Sequence, residues 1–412
     1  MLKLFKQNKM FRVLLTYQFF SSIGGGMFSM FILLFVHLVY QNPVYTGIAG
    51  FLMAAPRVVS FTVGPIVDRR DKISIMRLTT FLEFLVLALL AFTPLQERFG
   101  VLFMFGAIFA YNIAALFEIP ASTALLPQIV EDEEIMSANS LINITAMVGG
   151  IAIGVVLFTS LGGDINFSFL YGFSAVFVAL AFLSSMFLKN VTVSKNTGTA
   201  PPTSYIRDLK EGAGFIAHNA LLFIVLAIVA MDFVGEIAYV NRPMFLEYHA
   251  GAQGYVLFSL MTLIGGVIAS YLMGMIGDRF PVGKIIFALF TLAGITRIIF
   301  AVLVPVNLIG ALITMVIYAT LFISVSIAYT SLIQKIPPKD MVGRVDTIAT
   351  TLITTFVAIG AFVGGFIGNI VADVGYIFVA QGVSLVVIGV LVILIPRVRK
   401  LTKMNDIKKA ES

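Results

Sequence analysis

Apolar residues run along this chain in long blocks, with no alternation of the kind a half-buried strand shows. About twelve blocks recur, near 11–40, 44–67, 73–93, 99–119, 138–161, 167–188, 219–242, 252–276, 284–304, 307–329, 346–372 and 374–396. Each reaches or approaches the roughly 20 residues that carry a helix across the hydrocarbon core of a bilayer. Lipid offers the backbone no hydrogen bonds, so spanning segments are helices or closed barrels, and the missing period of two argues against the barrel. The pattern predicts an all-α polytopic membrane protein with twelve transmembrane helices. The leading MLKLFKQNKMFRVLL has a basic start and an apolar core, as signal peptides do. Its apolar run continues to about residue 40 without a small-residue cleavage site, so it reads as a retained first helix.

Composition agrees. The 412 residues are 59% hydrophobic and 12% charged, whereas soluble domains carry about 25% charged residues. With no cysteine, disulfides, thiol catalysis and cysteine metal sites are excluded. The three histidines, His37, His218 and His249, are scattered, so no metal site and no cofactor is expected. The net charge of +6 reads as topology and not as nucleic-acid binding. Lys3, Lys6, Lys9 and Arg12 precede the first block, and Arg69, Arg70 and Lys72 follow the second. Lys189, Lys195, Arg207 and Lys210 follow the sixth, Arg279 and Lys284 the eighth, and Lys335, Lys339 and Arg344 the tenth. The tail adds Arg397, Arg399, Lys400, Lys403, Lys408 and Lys409, and the other side has only Arg98 and Arg242. That bias places both termini of a multi-pass membrane protein in the cytoplasm. The acidic run 131–134 dissents, but carboxylates contribute little to orientation.

The longest polar stretch, 190–212, gathers Pro, Ser, Thr and Gly near the middle of the chain. It predicts a linker, 190–218, between six-helix bundles at 1–189 and 219–396, with a basic tail at 397–412. YIRDLKEGAGFIAHN, at its end, suggests a short amphipathic segment on the inner surface. The halves echo each other. GPIVDRRDK from Gly64 and GMIGDRFPVGK from Gly274 each place a glycine four residues before Asp-Arg, after the second block of their half. LLPQIVEDEEIMS and SLIQKIPPKDMVG form a weaker pair at corresponding loops. Two pseudo-repeats in the same topology follow.

These motifs resemble the major facilitator superfamily. Its loop signature, roughly G-x-x-x-D-R-x-G-R-[KR], is matched by Gly64, Asp68 and Arg69, with Lys72 for a later basic residue. Asp71 stands where that family has glycine and Ile73 where it ends on a base, while Gly274, Asp278 and Arg279 form the second copy. The resemblance implies that this loop gates the cytoplasmic side. Physically, the carboxylate of Asp68 would face the positive end of a neighbouring helix in one conformation and lose it in the other. GPIVDRRDKISIM, IPASTALLPQIVEDEEIMSANSL and YIRDLKEGAGFIAHN are similar to the bacterial macrolide efflux branch.

Ionisable side chains at membrane depth cost about 2.5–3.5 kcal/mol each and mark function by default. Asp232 and Glu236 stand at i and i+4 and share one helix face. Two carboxylates so close in a low dielectric do not readily both ionise, so such a pair can hold a shared proton. The superfamily resemblance implies that this helix lines the central cavity. Arg57 and Glu83 reach similar depth on a helical hairpin, as a permanent ion pair or as coupling groups. Arg297 lacks an acid on the helices beside it in sequence, which leaves Asp232 or Glu236 as partners. Glu118, beside Pro120, reads as a cap or gate element at a helix end, and Tyr111 falls near the place of the family's helix-4 arginine. Gly150 with Gly154, and Gly360 with Gly364, allow close helix contact. They are similar to the exporters' glycine-rich motif without its proline.

No P-loop and no enzyme constellation is visible. The expected function is proton-coupled efflux of small amphipathic drugs by a monomeric carrier. The alternatives are a lysolipid, lipid or siderophore carrier on the same fold, or a non-transporting sensor.

Overall fold

A computed structural model describes residues 8–63, 66–67, 70–131, 134–147, 149–150, 153–160, 166–188, 202–276, 281–338, 341–399 and 401. Regular structure among them is helical throughout, as a chain of this hydropathy requires. Helix starts are set by short polar side chains at the breaks between apolar blocks. Asn8 accepts from the Phe11 amide at 2.9 Å to open α1, Lys9–Tyr40, and Asn42 accepts from Val44 at 2.9 Å to open α2, Pro43–Val58. Asp71 caps α3, Lys72–Ala91, accepting from the Ser74 amide at 2.9 Å. A carboxylate there satisfies an orphan N–H and faces the positive end of the helix dipole, a local reason for it to replace glycine.

The chain continues through α4 (Thr93–Leu125), α5 (Ile135–Met147), α6 (Ile153–Ser160) and α7 (Phe167–Ser185). Then follow α8 (Pro202–His218), α9 (Leu221–Ile276), α10 (Val282–Leu303), α11 (Leu308–Lys335), α12 (Val342–Ile370) and α13 (Gly375–Leu394). A 56-residue helix such as α9, at about 1.5 Å per residue, far exceeds the roughly 30 Å hydrocarbon core. It breaks at Gly251, where φ is 64°, a conformation that side-chain-bearing residues rarely adopt, and so forms two spans. Ten helices are long and apolar enough to cross a membrane, this one among them. Its second arm, together with the span filled by α5 and α6, brings the spans to twelve. The molecule is a multi-pass, all-α membrane protein.

Contacts divide the chain into two units, Met1–Asn196 and Thr197–Ser412. Inside each, the same helix pairs meet: third with fourth and sixth (α3 with α4 and α7; α10 with α11 and α13), and first with sixth (α1 with α7; α9 with α13). α8 belongs to the second unit, held on α12 by an ion pair of 2.7 Å between Arg344 and Glu211.

Glycine sets the tightest approaches in the second unit. A Cβ on Gly294 would lie 2.4 Å from the Gly382 carbonyl oxygen, so α10 and α13 meet backbone to backbone. On Gly360 it would lie 2.6 Å from the Phe233 carbonyl oxygen, which brings α12 against the face of α9 next to Glu236. Asn241 Nδ2 donates to the Gly364 carbonyl at 2.7 Å and ties the same two helices. In the first unit Gly150 lies against α1, its added Cβ 3.8 Å from the Gly26 Cα, and Gly154 rests on Met30.

The second span covers the block 44–67 but changes winding within it, since Val63, Ile66 and Val67 are helical again beyond a break. Pro56 cannot donate to the turn before it. α2 ends at Val58, and a 3₁₀ turn at Ser60–Thr62 follows.

Gly360→Val should cost about 1–3 kcal/mol through overpacking against α9 and lower the thermal midpoint followed by circular dichroism. Gly106→Ala meets no neighbour within 4 Å and should leave the midpoint unchanged or raise it.

Candidate functional site

The first arm of α9 presents Asp232, the adjacent pair Gly235 and Glu236, Tyr239 and Arg242 on one face, each step along it three or four residues. That face opens on a cavity of about 250 Å³ within the second unit. α10 contributes Arg297, α11 contributes Met315, Tyr318 and Phe322, and α13 contributes Gln381. Burying four ionisable groups around one space is costly in lipid, and the structure shows how each is accommodated.

Arg297 is 4% exposed. Its Nε donates to Gln381 Oε1 at 2.7 Å, and its guanidinium carbon lies 4.8, 4.5 and 4.8 Å from the ring centroids of Phe300, Tyr318 and Phe378. A weakly hydrated, planar guanidinium is stabilised by aromatic faces and one good acceptor. The expected pairing of Arg297 with Asp232 or Glu236 is therefore absent, because Gln381 and the aromatic walls have taken the place of a carboxylate. Gln381 Nε2 in turn donates to Tyr318 Oη at 3.0 Å. Sequence reasoning missed Gln381, which sits in the most apolar helix of the chain. A lone amide amid GYIFVAQGVSLVV was the available signal.

Arg242 lies 4.7 and 4.9 Å from the ring centroids of Tyr239 and Tyr255, donates to Tyr255 Oη at 3.3 Å, and is within electrostatic reach of Glu236. Asp232 is half-buried and makes no hydrogen bond or ion pair among the described residues. The two carboxylates sit one helical turn apart on one cavity wall, but only Asp232 is left to the cavity alone.

A second acidic site lies in the first unit. Glu83 on α3 and Glu118 on α4 are 2% and 7% exposed. Glu118 Oε1 accepts from Tyr17 Oη at 2.6 Å and from Ser21 Oγ at 3.3 Å, and Tyr17 Oη lies 2.7 Å from Thr80 Oγ1. Glu118 is thus no helix-end cap. α4 runs on through Pro120 to Leu125, and Glu118 is buried inside it. Tyr111, stacked on Phe28 at 4.0 Å between centroids, lies within electrostatic reach of both acids. The predicted Arg57–Glu83 pair does not form. With α2 ending at Val58, Arg57 falls in its last turn and is exposed, while Glu83 is enclosed with Glu118.

Of the expected gate residues, Gly64, Asp68, Arg69, Asp278 and Arg279 lie outside the described residues. Lys72 opens α3 and is buried; Gly274 is exposed, with no neighbour within 4 Å of an added Cβ. Among the described residues no group of His, Asp and Glu is placed to hold a metal.

Residues 14–354 match the family model of the Major Facilitator Superfamily. BacE of Bacillus amyloliquefaciens, named as a bacilysin exporter, is 24% identical over 287 residues, 68% of this chain and 70% of its own. BacE of Bacillus subtilis matches over the same shares. A D-xylose-proton symporter has the same fold at a TM-score of 0.73 and 13% identity, covering 95% of this chain and 98% of its own. The nucleoside transporter NupG follows at 0.71 and 13%, covering 96% and 100%. At such identities the likeness to the solved structures is one of fold.

Gln381→Leu leaves the Arg297 Nε–H unsatisfied in a dry setting. It should destabilise the protein by roughly 1–3 kcal/mol, read as a lower thermal midpoint by circular dichroism.

Proposed function

The chain belongs to the Major Facilitator Superfamily, whose members are transporters, and from that premise we propose that it is a proton-coupled exporter of small amphipathic compounds. The observation that carries this reading is Asp232, a carboxylate within a membrane-spanning helix, open to a cavity and without hydrogen bond or ion pair among the described residues. Such a group is stable in lipid when it holds a proton and reactive when it gives one up, which is what coupling to a proton gradient needs. Glu236, one turn away, disfavours simultaneous ionisation of both. The similarity to BacE, named as a bacilysin exporter, favours outward transport.

In this reading Arg297 holds the cavity wall, and Glu83, enclosed beside the hydrogen-bonded Glu118, takes part in coupling from the first unit. Arg57, exposed in its own unit, is assigned to the substrate path and no longer to a pair with Glu83. The Asp-Arg loops at Gly64, Asp68, Arg69 and Lys72 and at Gly274, Asp278 and Arg279 gate the inner side. The protein acts as a monomer in a bacterial cell membrane with both termini cytoplasmic.

Proteoliposomes with an acidic lumen should accumulate ethidium in exchange for lumenal protons, faster than vesicles without a gradient. Asp232→Asn should abolish the acceleration and Glu236→Gln should reduce it. Uptake that ignores the gradient in the unmodified protein would remove proton coupling, and coupling that survives both substitutions would remove this site assignment.

A further inference from the structure

The cavity of the second unit holds an acid and a base that do not meet. Asp232 has no partner among the described residues, and Arg297 has neutral partners only. Arg242 lies within electrostatic reach of Glu236 and of Arg297, but it is tied by hydrogen bond to Tyr255, so Asp232 is the carboxylate and Arg297 the guanidinium whose geometry leaves them to the cavity. Tyr318 is within electrostatic reach of both and touches neither by hydrogen bond. An acid and a base enclosed in one low-dielectric space attract strongly, and keeping them apart is costly unless a ligand spans them.

The hydrogen-bond polarity around Arg297 is fixed by its chemistry. A guanidinium nitrogen only donates, so the Gln381 atom 2.7 Å from Arg297 Nε is the carbonyl oxygen. The Gln381 amide nitrogen then faces Tyr318 Oη at 3.0 Å and donates to it. The Tyr318 O–H, whose oxygen is already accepting, must donate elsewhere, and no acceptor for it occurs among the described residues. Arg297 spends Nε on Gln381 and Nη1 on the soft sulfur of Met315 at 3.7 Å, which leaves Nη2. Two donors, Arg297 Nη2 and the Tyr318 O–H, are thus held ready beside one cavity. Both suit an anion, most directly a carboxylate.

We infer that this cavity binds a zwitterion, a small molecule whose carboxylate is received by Arg297 and Tyr318 and whose ammonium is received by Asp232. The inference rests on the transport role proposed above for this cavity and names the charge pattern of its cargo. The volume of about 250 Å³ lies just under the roughly 300–1,000 Å³ of drug-sized sites, which selects molecules of amino-acid or dipeptide dimensions. Asp232 then serves two ligands that exclude each other, the ammonium and the proton. Exclusive occupancy of one carboxylate is the condition for exchanging one for the other.

The test is calorimetric binding to the purified full-length protein of three forms of leucyl-leucine and of phenylalanyl-leucine: the free dipeptide, its C-terminal amide and its N-acetyl derivative. The free dipeptide should bind about tenfold or more tightly than either blocked form, as loss of a charged hydrogen bond implies. Arg297→Met should erase the preference over the amide, and Asp232→Asn the preference over the N-acetyl form. Tyr318→Phe keeps the ring and its packing. It should weaken the free and N-acetyl forms several-fold and leave the amide unchanged, which mere unfolding would not do. Equal binding of all three forms, or binding of none, overturns the inference. Proton-driven uptake of tetraphenylphosphonium by proteoliposomes in which no dipeptide binds also overturns it, while leaving the proposed coupling standing. Selective binding of the zwitterion without proton movement supports the inference and removes proton coupling.

Discussion

Every polar group carried into hydrocarbon has to be satisfied by the protein itself, because the surrounding solvent offers neither donors nor acceptors. That constraint dictates the helices, and it also dictates what happens to the few ionisable side chains they carry. Arg297 is stabilised by an amide oxygen and three aromatic faces. Glu118 takes hydroxyl donors from Tyr17 and Ser21. Asp232 takes nothing among the described residues and opens on the cavity instead. Among the same residues four buried atoms, on Tyr171, Arg242, Thr291 and Tyr329, also lack a hydrogen-bond partner, so Asp232 stands out as an unpartnered carboxylate on a cavity.

The architecture was legible in the sequence, since block length and hydropathy report directly on the bilayer. The twelve apolar blocks correspond to the spans, and the break between 242 and 252 anticipates the turn at Gly251. Span ends were less legible. α2 and α4 both run through a proline, Pro56 and Pro120, and both then give way to a 3₁₀ turn, so neither proline marks a span end. A proline costs one hydrogen bond in either place, and packing decides whether the helix goes on.

Site residues were recognised by type more readily than by partner. Asp232, Glu236 and Arg297 do line one cavity, but opposite charges at similar depth suggested ion pairs that the structure lacks. Depth along a helix says nothing of the direction in which a side chain leaves it. Arg57 and Glu83 share an expected depth and diverge in exposure. Neutral partners were the least visible. Gln381 and Tyr17 carry no charge, yet they decide where Arg297 and Glu118 can rest.

The backbone contact between Gly294 and Gly382 has a mechanical consequence. Arg297 lies one turn beyond Gly294 on α10, and Gln381 lies beside Gly382 on α13, so their bond spans two helices already locked at that level. Sliding one helix by a single residue, about 1.5 Å, would stretch a 2.7 Å hydrogen bond past breaking. α10 and α13 are therefore geared together as a post that keeps the guanidinium at a constant height. Asp232 rides on a different helix. Whatever bending α9 undergoes changes the gap between the two charges, and the post provides the fixed mark against which that gap is measured.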